Sequence, residues 1–286
     1  MPQIDLTAGP IEYEDTGGDG PVVVLIGGLA IGPSLWDGVV EELRGAHRCI
    51  VPTLPWGAHR LPMHPDADLS LPGHARIVVE LLERLDLRDV TLVENDSAMT
   101  LLVAGDPPDR LARIVITSCE AFDNYPPGLP GKMISLAARM PGGINLVAQQ
   151  MRFRPLRRSP LAFGPMTKRP IPYEMSDAWL RPLITQPEVR RDLAKYVGNV
   201  DRNVLVAAAE RLRSFDRPAL VAWAAEDRLM PIEHGRRVAE LLPKGRFVEV
   251  ADSGTLIPLD QPKVLAGLIR DFVAETSSTG ASATRA

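Results

Sequence analysis

The sequence predicts an α/β protein: a mostly parallel central sheet with helices on both faces and an inserted helical segment. Three observations carry this. Apolar runs of strand length alternate with amphipathic helical stretches from Pro21 to Ala121. The alternation stops at Phe122, where Pro, Gly, Met and Arg dominate. It resumes at Arg217. Strands alternating with helices imply parallel strands joined by helical crossovers, and such a sheet gathers chemistry at the carboxyl ends of its strands.

The elements follow in order. "PVVVLIGG" (Pro21 to Gly28) is a buried strand running into glycines, and "SLWDGVVEELRG" an amphipathic helix. "RCIVPTLP" is a second strand; "SLPGHARIVVELLERLDL" is a helix for which Ser70 is the N-cap. "VTLVEND" is a strand, "SAMTLLVAGDPPDRL" a helix, and "RIVITSCEA" another strand. Residues 122–216 form the inserted segment, with helical patterns in "PEVRRDLAKYVGNV" and "NVLVAAAERLRSF". "RPALVAWAAED" and "GRFVEVADSG" resume the sheet, and "QPKVLAGLIRDFVAE" closes it with a helix. The core is therefore 1–121 and 217–275, and the Ser/Thr/Ala-rich tail 276–286 is expected to be disordered.

Composition narrows the function. The chain has 286 residues, is 45% hydrophobic and carries a net charge of −4, enough for one large core. It has no basic stripe of the kind a phosphate backbone selects, so nucleic acid is not an expected partner. "MPQIDLTAGPIEYEDTG" has no basic stretch leading into an apolar one, hence no signal peptide, and no run reaches the roughly 20 apolar residues that span a bilayer. A cytoplasmic protein acting on a small-molecule substrate is expected, with no membrane partner; a homodimer remains open. Cys49 and Cys119 read as buried thiols without a CxxC, and the five histidines form no HxxxH pair, so neither metal nor cofactor is expected.

One turn stands out. In "VTLVENDSAMTLL" a strand gives way to a helix across Glu94, Asn95, Asp96 and Ser97. A carboxylate there sits near the unpaired amides and positive dipole end of the helix, which favours its ionised form. Asp96 or Ser97 as a simple N-cap is the competing reading. Glu94 is either a second carboxyl raising the first one's pKa or an outward-pointing side chain.

The whole pattern resembles the α/β-hydrolase fold with a cap domain. The turn from Val90 to Met99 matches that family's nucleophile elbow, with Asp96 where the nucleophile stands. An Asp there is similar to the haloalkane dehalogenases and epoxide hydrolases. "LPWGAHRLPM", "DADLSLPG", "DLRDVTLV", "ND" and "CEAFDNYPP" together resemble uncharacterised actinobacterial α/β hydrolases. The resemblance implies a catalytic acid at Glu120 or at Asp227, and an oxyanion hole built on backbone amides around Gly27, Gly28 and Leu29. Leu29 and Ser97 stand where dehalogenases hold halide, so dehalogenation is not expected. Of the tyrosines, Tyr125, Tyr173 and Tyr196 fall in the inserted segment, where epoxide hydrolases keep those that protonate the opening oxygen.

The resemblance fails at one place. The family's histidine would fall in "VADSGTLIPLDQP", at Thr255, and a threonine hydroxyl is no base near neutral pH. His59 or His64 could approach the inserted segment. Three functions stay open: hydrolysis of an epoxide, ester or related apolar molecule through Asp96; isomerase, cyclase or lyase chemistry with Asp96 as acid/base; and ligand binding without turnover.

Overall fold

The computed structural model describes residues 1–199 and 201–283. Eight strands form one sheet: β1 (Gln3–Leu6), β2 (Gly9–Asp15), β3 (Val22–Ile26), β4 (Arg48–Pro52), β5 (Val90–Glu94), β6 (Leu111–Thr117), β7 (Ala219–Ala224) and β8 (Gly245–Val250). Their order is β1-β2-β4-β3-β5-β6-β7-β8. The strand β2 runs antiparallel to both neighbours, and the pairs from β4 to β8 are parallel. The leading hairpin β1–β2 is not marked by apolar runs, because "QIDL" and "GPIEYED" mix apolar with polar positions.

Every residue of β5 and of β7 is buried, so both faces of the sheet are covered there. The helices fall into two groups. α1 (Asp37–Leu43) packs with α11 (Ile257–Asp260) and α12 (Pro262–Ala283). α2 (Leu71–Arg84) meets α3 (Met99–Ala104), which meets α9 (Arg202–Arg211), which meets α10 (Ile232–Leu241). Ser70 caps α2 as expected, its hydroxyl accepting from the Gly73 amide at 3.2 Å. Both cysteines are buried free thiols.

Between β6 and β7 come α4 (Gly128–Ala138), α5 (Gly143–Gln150), α6 (Arg154–Arg157), α7 (Tyr173–Thr185), α8 (Pro187–Gly198) and α9. Two boundaries differ from the sequence reading. α9 lies in the segment expected to be inserted, yet it packs on α3 and α10, beside the sheet. The helix α12 continues to Ala283, across most of the stretch expected to be disordered; Phe272 and Val273 are buried and anchor it, and a helix once nucleated propagates cheaply. The remaining tail residues, 284–286, lie outside the described ones.

The helix α8 is fastened to the loop after β4. Asp192, fully buried, accepts from the Met63 amide at 2.9 Å and lies 3.3 Å from His59 Nε2. Arg191 donates to the Met63 carbonyl at 2.6 Å, and the Lys195 ammonium to the Pro65 carbonyl. These bonds set the position of Tyr196, one residue on.

Candidate active site

The carboxyl ends of β3, β5, β6, β7 and β8 bring the predicted residues together. Asp96, two residues past β5, has a φ of 71°, a left-handed conformation that a side chain adopts only when its surroundings impose it. The surroundings are specific. The Asn95 amide donates to the Ile26 carbonyl and the Asp96 amide to the Ser118 carbonyl, both at 2.9 Å. The Asn95 side chain donates to Thr117 Oγ1 at 2.8 Å and to the Thr255 carbonyl at 2.7 Å. The turn is thereby tied to β3, to β6 and to the loop after β8. Sequence reading passed over Asn95, although its place beside Asp96 in "ND" was the available signal.

Space at the turn is tight. A Cβ on Gly28 would stand 2.1 Å from Asp96 Oδ2 and 2.6 Å from Asp96 Cβ. No rotamer relieves the second contact. Gly28→Ala is therefore expected to cost about 1–3 kcal/mol of stability by overpacking and to displace the carboxyl. Thermal denaturation checks it; an unchanged Tm would show that the two segments separate freely.

Asp96 borders an apolar chamber of about 140 Å³, together with Leu29, Glu120, Tyr125 and Tyr196. Burial pushes the Asp96 carboxyl up to about 8, the nearby Asp227 charge adds to this, and the Leu29 amide opposes it. Glu120, three residues past β6, is 9% exposed, and its Oε2 has no hydrogen-bond partner. Its pKa is raised well above the carboxylate range by burial first, then by Asp96 and Glu94. Tyr196 is fully buried against the same group, and its hydroxyl too is raised, by burial and then Glu120.

The other predicted residues stand behind this surface. Glu94, the last residue of β5, points neither outward nor into the chamber. It lies buried beneath the turn, Oε2 accepting from the Thr100 amide and the Ser97 hydroxyl and Cys119 thiol close to its carboxyl, and burial pushes it up to about 8. Ser97 is buried beside the Glu94 carboxyl. Thr255 is fully buried and donates to Asp227 Oδ1 at 2.7 Å. The same oxygen accepts from the Leu229 and Met230 amides at 2.9 Å. Burial raises Asp227, with the Met230 amide and the Thr255 hydroxyl opposing.

Tyr173 is a correction. It lies outside the chamber, its ring face covered by the Arg158 guanidinium at 3.8 Å, because an amphipathic ring beside "RPLRR" gains more from that cation than from an apolar cavity. Among the described residues no histidine hydrogen-bonds Asp96, Glu120 or Asp227. His59 is held by Asp192, and His74, unforeseen as a neighbour of the site, stacks on Trp56 with ring centroids 5.4 Å apart and meets Tyr196 edge-on at 4.9 Å. Burial lowers His74 to about 4, and its Nδ1 faces the Ser70 carbonyl at 3.0 Å. It is a neutral ring that supports Tyr196.

Residues 21–262 match the family model described as alpha/beta hydrolase fold, and the chain belongs to that family. An uncharacterized hydrolase, YugF, of Bacillus subtilis (strain 168) is 22% identical over 203 residues, 70% of each chain. A haloalkane dehalogenase of Mesorhizobium japonicum is 27% identical over 158 residues, which cover 53% of this chain and 50% of that protein. Among solved structures, DBJA in a delta mutant superposes with a TM-score of 0.78 at 16% identity, covering 97% of this chain and 99% of that one. At that identity the likeness shows the shared fold.

Proposed function

We propose that the protein is an enzyme that moves protons on a small apolar substrate, with Asp96 as base and Glu120 as acid. The single observation behind this is the pairing of two buried carboxyls at one apolar chamber with no imidazole bonded to either. Asp96, pushed up to about 8, exchanges its proton near neutral pH, where general acid–base catalysis is most effective. Glu120 is raised well above the usual carboxylate range by burial and then by the Asp96 and Glu94 charges, which favours its protonated form.

The bond changes balance in two ways. In an isomerisation, Asp96 takes a proton from a substrate carbon and Glu120 returns one elsewhere in the molecule. In an epoxide opening, Asp96 takes a proton from the attacking water while Glu120 protonates the departing oxygen. The Tyr196 hydroxyl, beside Glu120, orients that oxygen. Neither route needs a histidine to release a covalent ester. A nucleophilic Asp96 would need one, and Thr255 occupies the place facing Asp227. The helices α4, α5, α7 and α8 act as the cap that keeps the chamber dry, and dryness holds the two carboxyls in their shifted states.

Intact-mass spectrometry during incubation with a panel of epoxides, activated esters and alkyl halides tests this reading. Turnover without a mass adduct is expected, rising with pH through about 8 as Asp96 ionises. A stable ester on Asp96 would instead establish nucleophilic attack, and binding with no turnover of any panel member would favour a ligand carrier.

A further inference from the structure

The surface of the inserted segment has two properties that the chamber chemistry does not use. The first is exposed apolar side chains. Leu129, Met133, Leu136 and Met140 follow one another at spacings of four, three and four, which places them on one face of α4 and its continuation. All four are about half exposed or more, as is Leu146 on α5 at 60%, and Phe153 before α6 reaches 67%. A helix in a monomer normally turns such a face inward, and a contiguous exposed patch of this kind marks an interaction surface.

The second is charge. From Asn124 to Tyr173 there are eight Lys or Arg residues and no Asp or Glu, in a chain whose total is −4. Lys132 and Arg139 flank the α4 stripe and Arg152 flanks Phe153; all three are exposed, and none has a carboxylate partner among the described residues. The composition is that of segments that lie in the headgroup layer of anionic bilayers: large apolar residues on one side, cations around them, acids absent.

We propose that this segment docks on an anionic lipid surface through the α4 stripe and Phe153, with the mouth of the chamber against the bilayer. Two arguments favour lipid over a second copy of the chain. A symmetric interface would set each copy's cations against the other's, which opposes pairing. The stripe is also continuous with the chamber: Met133 is exposed on α4 and lines the cavity as well, and Leu161 does the same. An apolar substrate dissolved in the bilayer could pass along these side chains without crossing water. No helix among the described residues is long and apolar enough to cross a membrane, and a surface-lying helix needs no such length.

Sedimentation of the full-length protein with vesicles tests the proposal without reference to turnover. Binding is expected to mixed phosphatidylglycerol–phosphatidylcholine vesicles and not to phosphatidylcholine alone, and to weaken as salt rises. Each cation near the surface contributes roughly fivefold, so the pair Lys132→Gln with Arg139→Gln should weaken binding about twentyfold. The pair Leu136→Ser with Phe153→Ser should weaken it by about tenfold or more, since both apolar anchors are lost. None of these four residues lines the chamber, and all are exposed, so circular dichroism and Tm should be unchanged. Absence of binding to anionic vesicles overturns the proposal, as does equal binding to neutral ones. A dimer in light scattering that dissociates in the Leu136→Ser/Phe153→Ser variant also overturns it and assigns the stripe to a second copy.

Discussion

Asp96→Asn is expected to lower kcat/KM about a thousandfold on any panel substrate that the protein turns over, within the hundred- to ten-thousandfold span of a single proton-transfer group. Asn has the same shape and fits the turn, including its positive φ, which Asn and Asp tolerate better than other side chains. What it lacks is an exchangeable proton near pH 8. The variant also removes a buried group that is costly to ionise, so its Tm at pH 9 should equal or exceed that of the unaltered protein. That second measurement separates lost chemistry from lost fold. A Tm several degrees lower would assign Asp96 a structural part as the N-terminal anchor of α3. Activity within tenfold of the unaltered protein would move the base elsewhere, with Asp227 the next carboxyl to test.

Several parts of this arrangement were legible in the sequence, for reasons that particular residues make plain. The parallel sheet was readable because β3 and β7 are buried on both faces and are unbroken apolar runs, and β5 departs from one only at Thr91 and Glu94. The turn at Asp96 was readable because polar residues interrupt two such runs. Depth was not. At a strand end the alternation of faces gives no bearing on whether a carboxyl such as Glu94 turns to solvent or under the helix; the Thr100 amide that receives it lies six positions away and only folding aligns them. Tyr173 and Tyr196 look alike in sequence. The Arg158 guanidinium holds one on the surface, while the bonds of Asp192 and Lys195 carry the other into the chamber. The likeness of α9 to the preceding helices hid its packing against α3, because an amphipathic helix shows that it has a buried face and not which neighbour covers it.

Glu94→Gln is the substitution with the largest expected effect on stability, and its sign depends on pH. The carboxyl is fully buried and held at about 8, above the 4.5 of the unfolded chain. Between those values the folded state binds the proton that the unfolded state has released. Stability from this group is therefore fully present below about pH 4.5 and is lost as pH rises towards 8. At one pKa unit for roughly 1.4 kcal/mol, the loss amounts to several kcal/mol across that window. Glutamine retains the carbonyl that accepts the Thr100 amide and has no charge to bury. The variant should match the unaltered protein near pH 4 and exceed it at pH 8 to 9, so that the two curves of Tm against pH diverge upward from about pH 5. Asp96 shifts in the same direction, so the slope in the variant is reduced and not abolished. Parallel curves would mean that Glu94 ionises in the folded protein as readily as in water. An ionised Glu94 would then add its charge to those that hold the Glu120 proton in place.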